Sequence, residues 1–350
     1  MVVWQSALLY TSTSGQRRVR CHTLGLPVTG LLPNIFRSTD VETVSAVMAR
    51  QAVSRALGNK MAVEAILKQV EESMLAMLFA YRKKCASDSP AGQLILPEAL
   101  RVLPLFTLCT HKMLALRPNS KGGAPDVRAD ERAARLLANH SLSVEGMVKV
   151  LYPSLYSVHD LPPDIGDAPP ARPPPSAAAS EPGAVGAGVG LDRKSVGIWG
   201  SPRSGVDVPV ALPPTSEKLS SSGVFLLDNG EELLLYVGRS VSREVMSELF
   251  GVDAVPGPSP PGYGNEGAST SVLQLRQEDG YEQARRVRNV IEHLRRGSAA
   301  HKPLVVVVAN SGVPEEARFV SLMVEDKTKH GTSYVDELCN LHHKIQSRMG

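Results

Sequence analysis

Two apolar runs of strand length, Val224 to Leu227 and Leu233 to Val237, flank Asp228-Asn229-Gly230. Asn and Gly tolerate the positive φ that a tight turn demands, so Gly223 to Gly238 predicts a β-hairpin. Both runs are nearly continuous in apolar residues, which predicts cover on both faces. The chain beyond supplies that cover. Ser240 to Phe250 reads as a short helix with Val241, Val245 and Leu249 in line and Gly251 as its stop. Tyr281 to Arg296 reads as a longer one along Ala284, Val287, Ile291 and Leu294. Leu304 to Val308, LVVVV, predicts a buried central strand, and Phe319 to Val324 a further strand. A last helix is expected after Ser333, with Asp336 at capping-box spacing and Val335, Leu338, Cys339, His342 and Ile345 inward. The order β-β-α-α-β-β-α predicts one mixed sheet with helices on both faces.

Upstream, from Ser38 to about Asp160, the apolar period becomes helical. Thr39 and Glu42 have capping-box spacing, and Val41, Val44, Met48 and Ala52 recur at helical intervals until Gly58. Met61 to Lys84 carries Val63, Ile66, Leu67, Val70, Met74, Leu78 and Tyr81 on one stripe. Pro97 suits a first helical turn, and Pro104 is expected to kink or break the helix around it. Shorter helices are expected near Arg128 to Asn139 and Ser143 to Tyr152, giving an all-α domain of about five helices.

The first residues alternate differently. Trp4 to Thr11 and Arg17 to Leu24 read as strands around Ser12 to Gln16, with Gly15 in the turn. In the second strand Arg18, Arg20 and His22 fall on one face, expected to be wet and basic. Val19, Cys21 and Thr23 fall on the other, expected to be dry. A lone hairpin is marginal in water, so Val2 to Leu26 is expected to belong to a larger β domain, and the chain to be a fragment or a truncated gene product.

Leu161 to about Val206 is rich in Pro, Ala and Gly and poor in core-forming residues, which predicts a disordered linker. Val255 to Thr270 is a second Pro/Gly-rich loop.

Charge and composition narrow the function. With 38 basic and 35 acidic residues the net charge is only +3, which by itself gives no argument for nucleic acid or membrane binding. Cys21, Cys85, Cys109 and Cys339 include no C-x-x-C pair and predict reduced, mostly buried thiols in a cytosolic protein. The first residues lack the pattern of a signal peptide, and no apolar run nears the roughly 18 residues of a spanning helix.

Candidate chemistry is sparse. Gly186-x-Gly188-x-Gly190 neither follows a strand nor opens a helix, so it reads as low complexity. Cys339, His342 and His343 lie within one turn but read as core thiol and imidazole, and Met74 with Met77 as core packing. Arg172-Pro-Pro-Pro reads as plain linker. The arginines Arg17, Arg18 and Arg20, and Arg285, Arg286 and Arg288, are candidates to face anionic lipid headgroups, against an ordinary solvated face. No nucleophile, base and oxyanion site assembles, so the chain reads as a non-enzymatic binding or scaffolding protein.

These segments, in order, resemble the C-terminal part of the cargo-adaptor subunit of the COPII vesicle coat. The resemblance is carried by ALLYTSTSGQRRVRCHTLGLPV (Ala7 to Val28), LYPSLYSVHDLP (Leu151 to Pro162), LPPTSEKLSSSGVFLLDNGEELLLYVGRSVS (Leu212 to Ser242), RRVRNVIEHLR (Arg285 to Arg295) and LMVEDKTKHGTSYVDELCNLHHKI (Leu322 to Ile345). It implies a multi-domain α+β chain. Residues 1–33 would be the last strands of a truncated β-sandwich, 38–160 an all-α helical domain, 161–207 a linker that looks like an insertion, and 208–350 a gelsolin-like mixed sheet flanked by helices. It also implies a peripheral, cytoplasmic protein of endoplasmic reticulum membranes and COPII vesicles. Implied partners are the coat's GTPase-activating sister subunit, cytoplasmic tails of cargo proteins and an acidic membrane surface. No cofactor is implied for this chain, since zinc belongs to the family's N-terminal zinc finger. A gelsolin-like, actin-binding cytoskeletal regulator is the alternative; the sister coat subunit and an uncharacterised hydrolase are more distant readings.

Overall fold

Gly230 adopts φ 84°, and around it the chain reverses between β4 (Val224–Asp228) and β5 (Leu233–Val237). The turn holds itself: Gly230 N–H donates to Asp228 Oδ1 at 2.9 Å, and Glu232 N–H to Asn229 Oδ1 at 2.8 Å. This is the computed structural model of the chain, and it describes residues 1–58, 61–87, 90, 92–117, 127–167, 206–256, 273–296, 301–328 and 331–349.

The hairpin is the middle of a four-stranded sheet of order β3-β4-β5-β6, with β3 at Ser154–Ser157 and β6 at Leu304–Val308. The pairs β3/β4 and β4/β5 are antiparallel and β5/β6 is parallel, in registers Leu155↔Leu227, Leu227↔Leu234 and Leu235↔Val306. Because neighbouring residues face opposite ways, Val224, Leu226, Leu233, Leu235 and Val237 enter one core. There they meet α7 (Arg243–Phe250) and α8 (Glu282–Arg296) through Met246, Leu249, Ala284, Val287 and Ile291. Leu155, Phe225, Leu227, Leu234 and Val307 enter a second core with Phe319, Leu322 and Met323. The helices on both faces expected from the apolar runs are there.

Three features of this sheet differ from expectation. LVVVV lies at an edge rather than in the centre, since among the described residues β6 pairs only with β5. Phe319 to Val324 is not a strand: Pro314–Ser321 is helix α9, opened by Pro at its first turn with Glu315 and Glu316 favourable at its N-terminus. Phe319 then stacks on Tyr236 of β5 with ring centroids 4.5 Å apart. The fourth strand comes instead from β3, a four-residue segment upstream of Pro163.

The helical body contains α2 (Val41–Leu57), α3 (Val63–Cys85), α4 (Leu103–Lys112), α5 (Ala129–Ser141) and α6 (Val144–Leu151), after a short α1 (Leu32–Ser38). Its core joins Ala49, Val53, Ile66, Val70, Cys109, Leu136 and Met147. Asp40, not Thr39, caps α2 by accepting from Thr43 N–H, and Gly58 ends it as expected. Pro104 lies in the first turn of α4, where its missing N–H costs nothing, so it starts that helix rather than breaking it.

Packing does not follow the expected boundaries at Asp160 and 208. The last helix, α10 (Tyr334–Met349), leaves the sheet and packs Leu341 and Ile345 against Met74, Leu75, Leu78, Leu100 and Leu103. Its expected inward stripe is therefore rotated: Val335 and Cys339 are exposed. The beginning of the expected linker is also folded, for Leu161 is buried and Gly166 N–H donates to Asp207 O at 3.1 Å. Residues 168–205, with the glycine run and Arg172, lie outside the described residues, as does most of the second Pro/Gly-rich loop.

Residues Val2–Thr11 (β1) and Arg17–Leu26 (β2) form the expected ribbon, with Gly15 at φ 80° in its turn. Neither face is dry, since every residue of β2 is exposed, Val19, Cys21 and Thr23 of the expected dry face included. Arg20 pairs with Leu8, Arg18 with Tyr10 and Leu24 with Trp4, so the arginine face carries large apolar side chains too.

Candidate functional site

The described residues that carry unusual chemistry gather where the helical body meets the sheet. Lys112, at the end of α4, is 3% exposed, and its Nζ donates to the carbonyls of Val324 at 2.8 Å and Asp326 at 2.6 Å. Burial lowers its pKa, because the charged ammonium has lost water. Tyr152 Oη donates to Glu325 Oε1 at 2.6 Å, and burial together with that carboxylate raises the phenol's pKa. Asp326 accepts from Thr215 Oγ1 at 2.5 Å and Ser216 N–H at 2.8 Å. Burial opposes its ionisation, but those bonds outweigh it and leave its pKa below the usual carboxylate value. Segment 324–326 is thus gripped from α4, from the end of α6 and from residues 215–216.

Further contacts close the same seam. Arg135 of α5 pairs with Glu231 in the hairpin turn and, at 3.0 Å, with Glu131. On the other side of the turn, Arg318 of α9 pairs with Glu232 at 2.8 Å. A cavity of about 20 Å³ lies between the bodies, lined by Cys109, Lys112, Asn139, Asn229 and Leu322 among others. Small-molecule sites run to about 300–1,000 Å³, so this gap belongs to packing rather than to a substrate. Burial also pushes the Cys109 thiol pKa up, which keeps it in the inert protonated form.

The arginines proposed from the sequence separate into two groups. Arg17, Arg18 and Arg20 are exposed on β2. Those on α8 are committed inside the fold. Arg286 is 7% exposed and donates to Ile165 O at 2.8 Å and Leu161 O at 3.1 Å. Arg285 pairs with Asp167 at 2.9 Å, and Arg288 with Asp279 at 2.8 Å. Arg286 therefore cannot face lipid, and α8 does not present the three as one basic face. What the sequence did not show was the carbonyls waiting for it.

Cys339, His342 and His343 do not converge on a ligand. Cys339 is exposed, and no group of three or more His, Cys, Asp or Glu side chains among the described residues is arranged to hold a metal. Met74 is 1% exposed, and it and Met77 pack in the core beneath α10, as expected. Among the described residues, no helix is long and apolar enough to cross a membrane. Sequence reasoning missed Lys112, whose only signal was a cation ending the apolar helix LPLFTLCTHK, and Glu325-Asp326, whose signal was an acidic pair directly after a buried run.

Among the described residues, the seam packs a helical body against a mixed sheet around a cavity too small for a substrate. Comparison with known proteins agrees. Residues 40–149 match the Sec23/Sec24 helical domain, and residues 205–255 match the gelsolin repeat. The chain is 33% identical over 346 residues to protein transport protein SEC24 C of Arabidopsis thaliana, covering 99% of this chain and 26% of that protein. It is 31% identical over 343 residues to protein transport protein Sec24C of Homo sapiens, covering 98% of this chain and 26% of that one. The crystal structure of the human COPII-coat protein Sec24c superposes with a TM-score of 0.72 at 27% identity, over 99% of this chain and 38% of that chain. Over almost all of its length the chain is similar to Sec24 transport proteins, with the Sec23/Sec24 helical domain and the gelsolin repeat matched in that order, and it spans about a quarter of the length of the curated relatives it matches.

Proposed function

We propose that the chain is a structural component of the COPII coat in transport from the endoplasmic reticulum to the Golgi. The observation that carries this reading is homology with Sec24 transport proteins over almost the whole chain, together with the shared fold. The physical role comes from the seam: Lys112, Tyr152 and Arg135 lock the helical body to the sheet, and α10 returns across the junction. Such a unit holds surfaces at fixed angles; it carries out no reaction and takes no cofactor of its own. Its partners would be the GTPase-activating sister subunit of the inner coat, cytoplasmic tails of cargo proteins and acidic membrane. It would work at the cytoplasmic face of the endoplasmic reticulum, bound peripherally. Of the basic residues, Arg17, Arg18 and Arg20 remain open to lipid, each contributing up to about 1 kcal/mol beside an anionic surface.

The gelsolin repeat also brings the actin-binding alternative, but the relatives that match this chain are named as transport proteins, and we do not adopt it. Budding of vesicles from endoplasmic reticulum membranes separates the two. The tagged chain should be recovered with coated vesicles and should not sediment with filamentous actin, with or without calcium. Calcium-dependent sedimentation with actin and absence from the vesicles would reverse the assignment.

A further inference from the structure

The sheet has two edges, and they are treated differently. On the β3 side, Leu212 N–H donates to Leu155 O at 2.7 Å, so the chain returning at 206–214 covers that edge. On the β6 side no strand or bridge adds to the sheet among the described residues. Two bonds fix the direction of the β6 backbone: Leu233 N–H to Pro303 O and Ala309 N–H to Val237 O, both at 2.9 Å. In the parallel register Leu233↔Leu304 to Val237↔Val308, the N–H groups of Val305, Val307 and Ala309 then turn toward β5. The N–H and C=O groups of Leu304, Val306 and Val308 point outward. Leu304 to Val308 contains no charge, proline or glycine, the devices that ordinarily blunt an exposed edge.

We propose that β6 is an interface for a second copy of this chain, pairing antiparallel about a two-fold axis at Val306 to join two four-stranded sheets. Self-complementarity supports it. With Val306 opposite Val306 and Leu304 opposite Val308, all the outward N–H and C=O groups of both strands find partners. Every side-chain pair across the axis is apolar. Charge at the strand's ends selects the antiparallel sense. Arg295 Nε donates to Lys302 O at 3.0 Å, which sets the end of α8, with exposed Arg296, beside the start of β6. Glu316 accepts from Gly312 N–H at 2.9 Å, which sets the first turn of α9, with exposed Glu315, just past its end. The two-fold brings the basic end of each copy to the same end of the joined sheet as the acidic end of the other. Parallel pairing would put like with like.

The test combines sedimentation across a wide range of concentration with amide hydrogen exchange on the whole chain. A concentration-dependent dimer is expected, in which the amides of Leu304, Val306 and Val308 slow on association while those of Val305, Val307 and Ala309 are slow throughout. Val306→Pro removes one outward N–H and should abolish the dimer while keeping the far-UV dichroism of the folded chain; Val307→Pro, which removes an inward one, should unfold the sheet. If Val306→Pro itself misfolds, the exchange pattern of the unaltered chain decides. A monomer at every concentration overturns the proposal. So does a dimer in which the three outward amides stay fast, since that would place the contact elsewhere, as on the exposed β1–β2 ribbon.

Discussion

Lys302 Nζ lies 2.7 Å from Asp228 Oδ1 and 2.9 Å from Oδ2, with both residues 1% exposed. The pair ties the approach to β6 to the end of β4, across β5, and Asp228 also holds the hairpin turn through Gly230 N–H. Removing one partner leaves the other charge buried and uncompensated. Lys302→Met should therefore destabilise the fold by about 3–5 kcal/mol, far more than the ~0.5 kcal/mol of a surface change. Adding Asp228→Asn should recover much of the loss, because the amide oxygen still accepts from Gly230 while the charge is gone. Urea titration of the two variants checks this; equal stability of the single variant and the unaltered chain would refute it.

Arg286 yields a prediction in which folding and lipid binding separate. Its guanidinium satisfies two carbonyls of the 161–165 segment, so Arg286→Glu should lower the melting temperature sharply, by a buried-charge cost of several kcal/mol. The triple change of Arg17, Arg18 and Arg20 to Glu should leave melting unchanged, because all three are exposed. Flotation with acidic liposomes then reads the membrane role without interference from unfolding. If the triple variant floats as well as the unaltered chain, β2 is an ordinary solvated strand.

Gly166 and Asp207, which flank residues 168–205, lie at one place. Gly166 bonds Asp207, Asn289 Nδ2 donates to Gly166 O at 2.8 Å, and Arg285 pairs with Asp167. The described residues on either side of this segment bond to one another directly. Replacing 168–205 by a short Gly-Ser bridge should leave melting unchanged or raise stability by about 1–2 kcal/mol through the shorter loop. Thermal denaturation decides, and a clear drop would mean that the segment packs on the fold.

Acid should loosen the contact beneath α10. Burial lowers the pKa of His111 on α4, with the Glu71 carboxylate acting to raise it and Lys344 of α10 to lower it further. Its pKa in the folded chain lies below the unfolded value near 6.5, so the unfolded chain binds more protons as pH falls and stability drops below about pH 6.5. Glu337, raised by burial, acts in the opposite sense above its unfolded value, which makes a comparison of variants the right measurement. Between pH 7 and 5.5 the urea midpoint of His111→Gln should fall less than that of the unaltered chain. Equal slopes would remove His111 from the account.

The sequence was most legible where local and tertiary demands agreed. Asn229-Gly230 between two fully apolar runs allowed little besides a buried hairpin, and Gly58 and Gly251 ended their helices where expected. It misled where a short apolar run fits either period. Phe319 to Val324 has the composition of a strand, and only Pro314 and the two glutamates after it mark a helix start. LVVVV has the composition of a central strand, but position in a sheet is set by pairing, which composition does not carry. The seam was hidden for a similar reason: Lys112 and Val324, bonded at 2.8 Å, are far apart in the chain, and neither has a local signal for the other.

The central proposal is that this chain, similar to Sec24 transport proteins over almost all of its length, forms part of the COPII coat, and localisation in cells tests it most directly. The chain, tagged and expressed in cells whose endoplasmic reticulum exit sites are marked by another coat subunit, should concentrate at those sites. A uniform cytoplasmic distribution, or accumulation along actin filaments, would contradict the assignment.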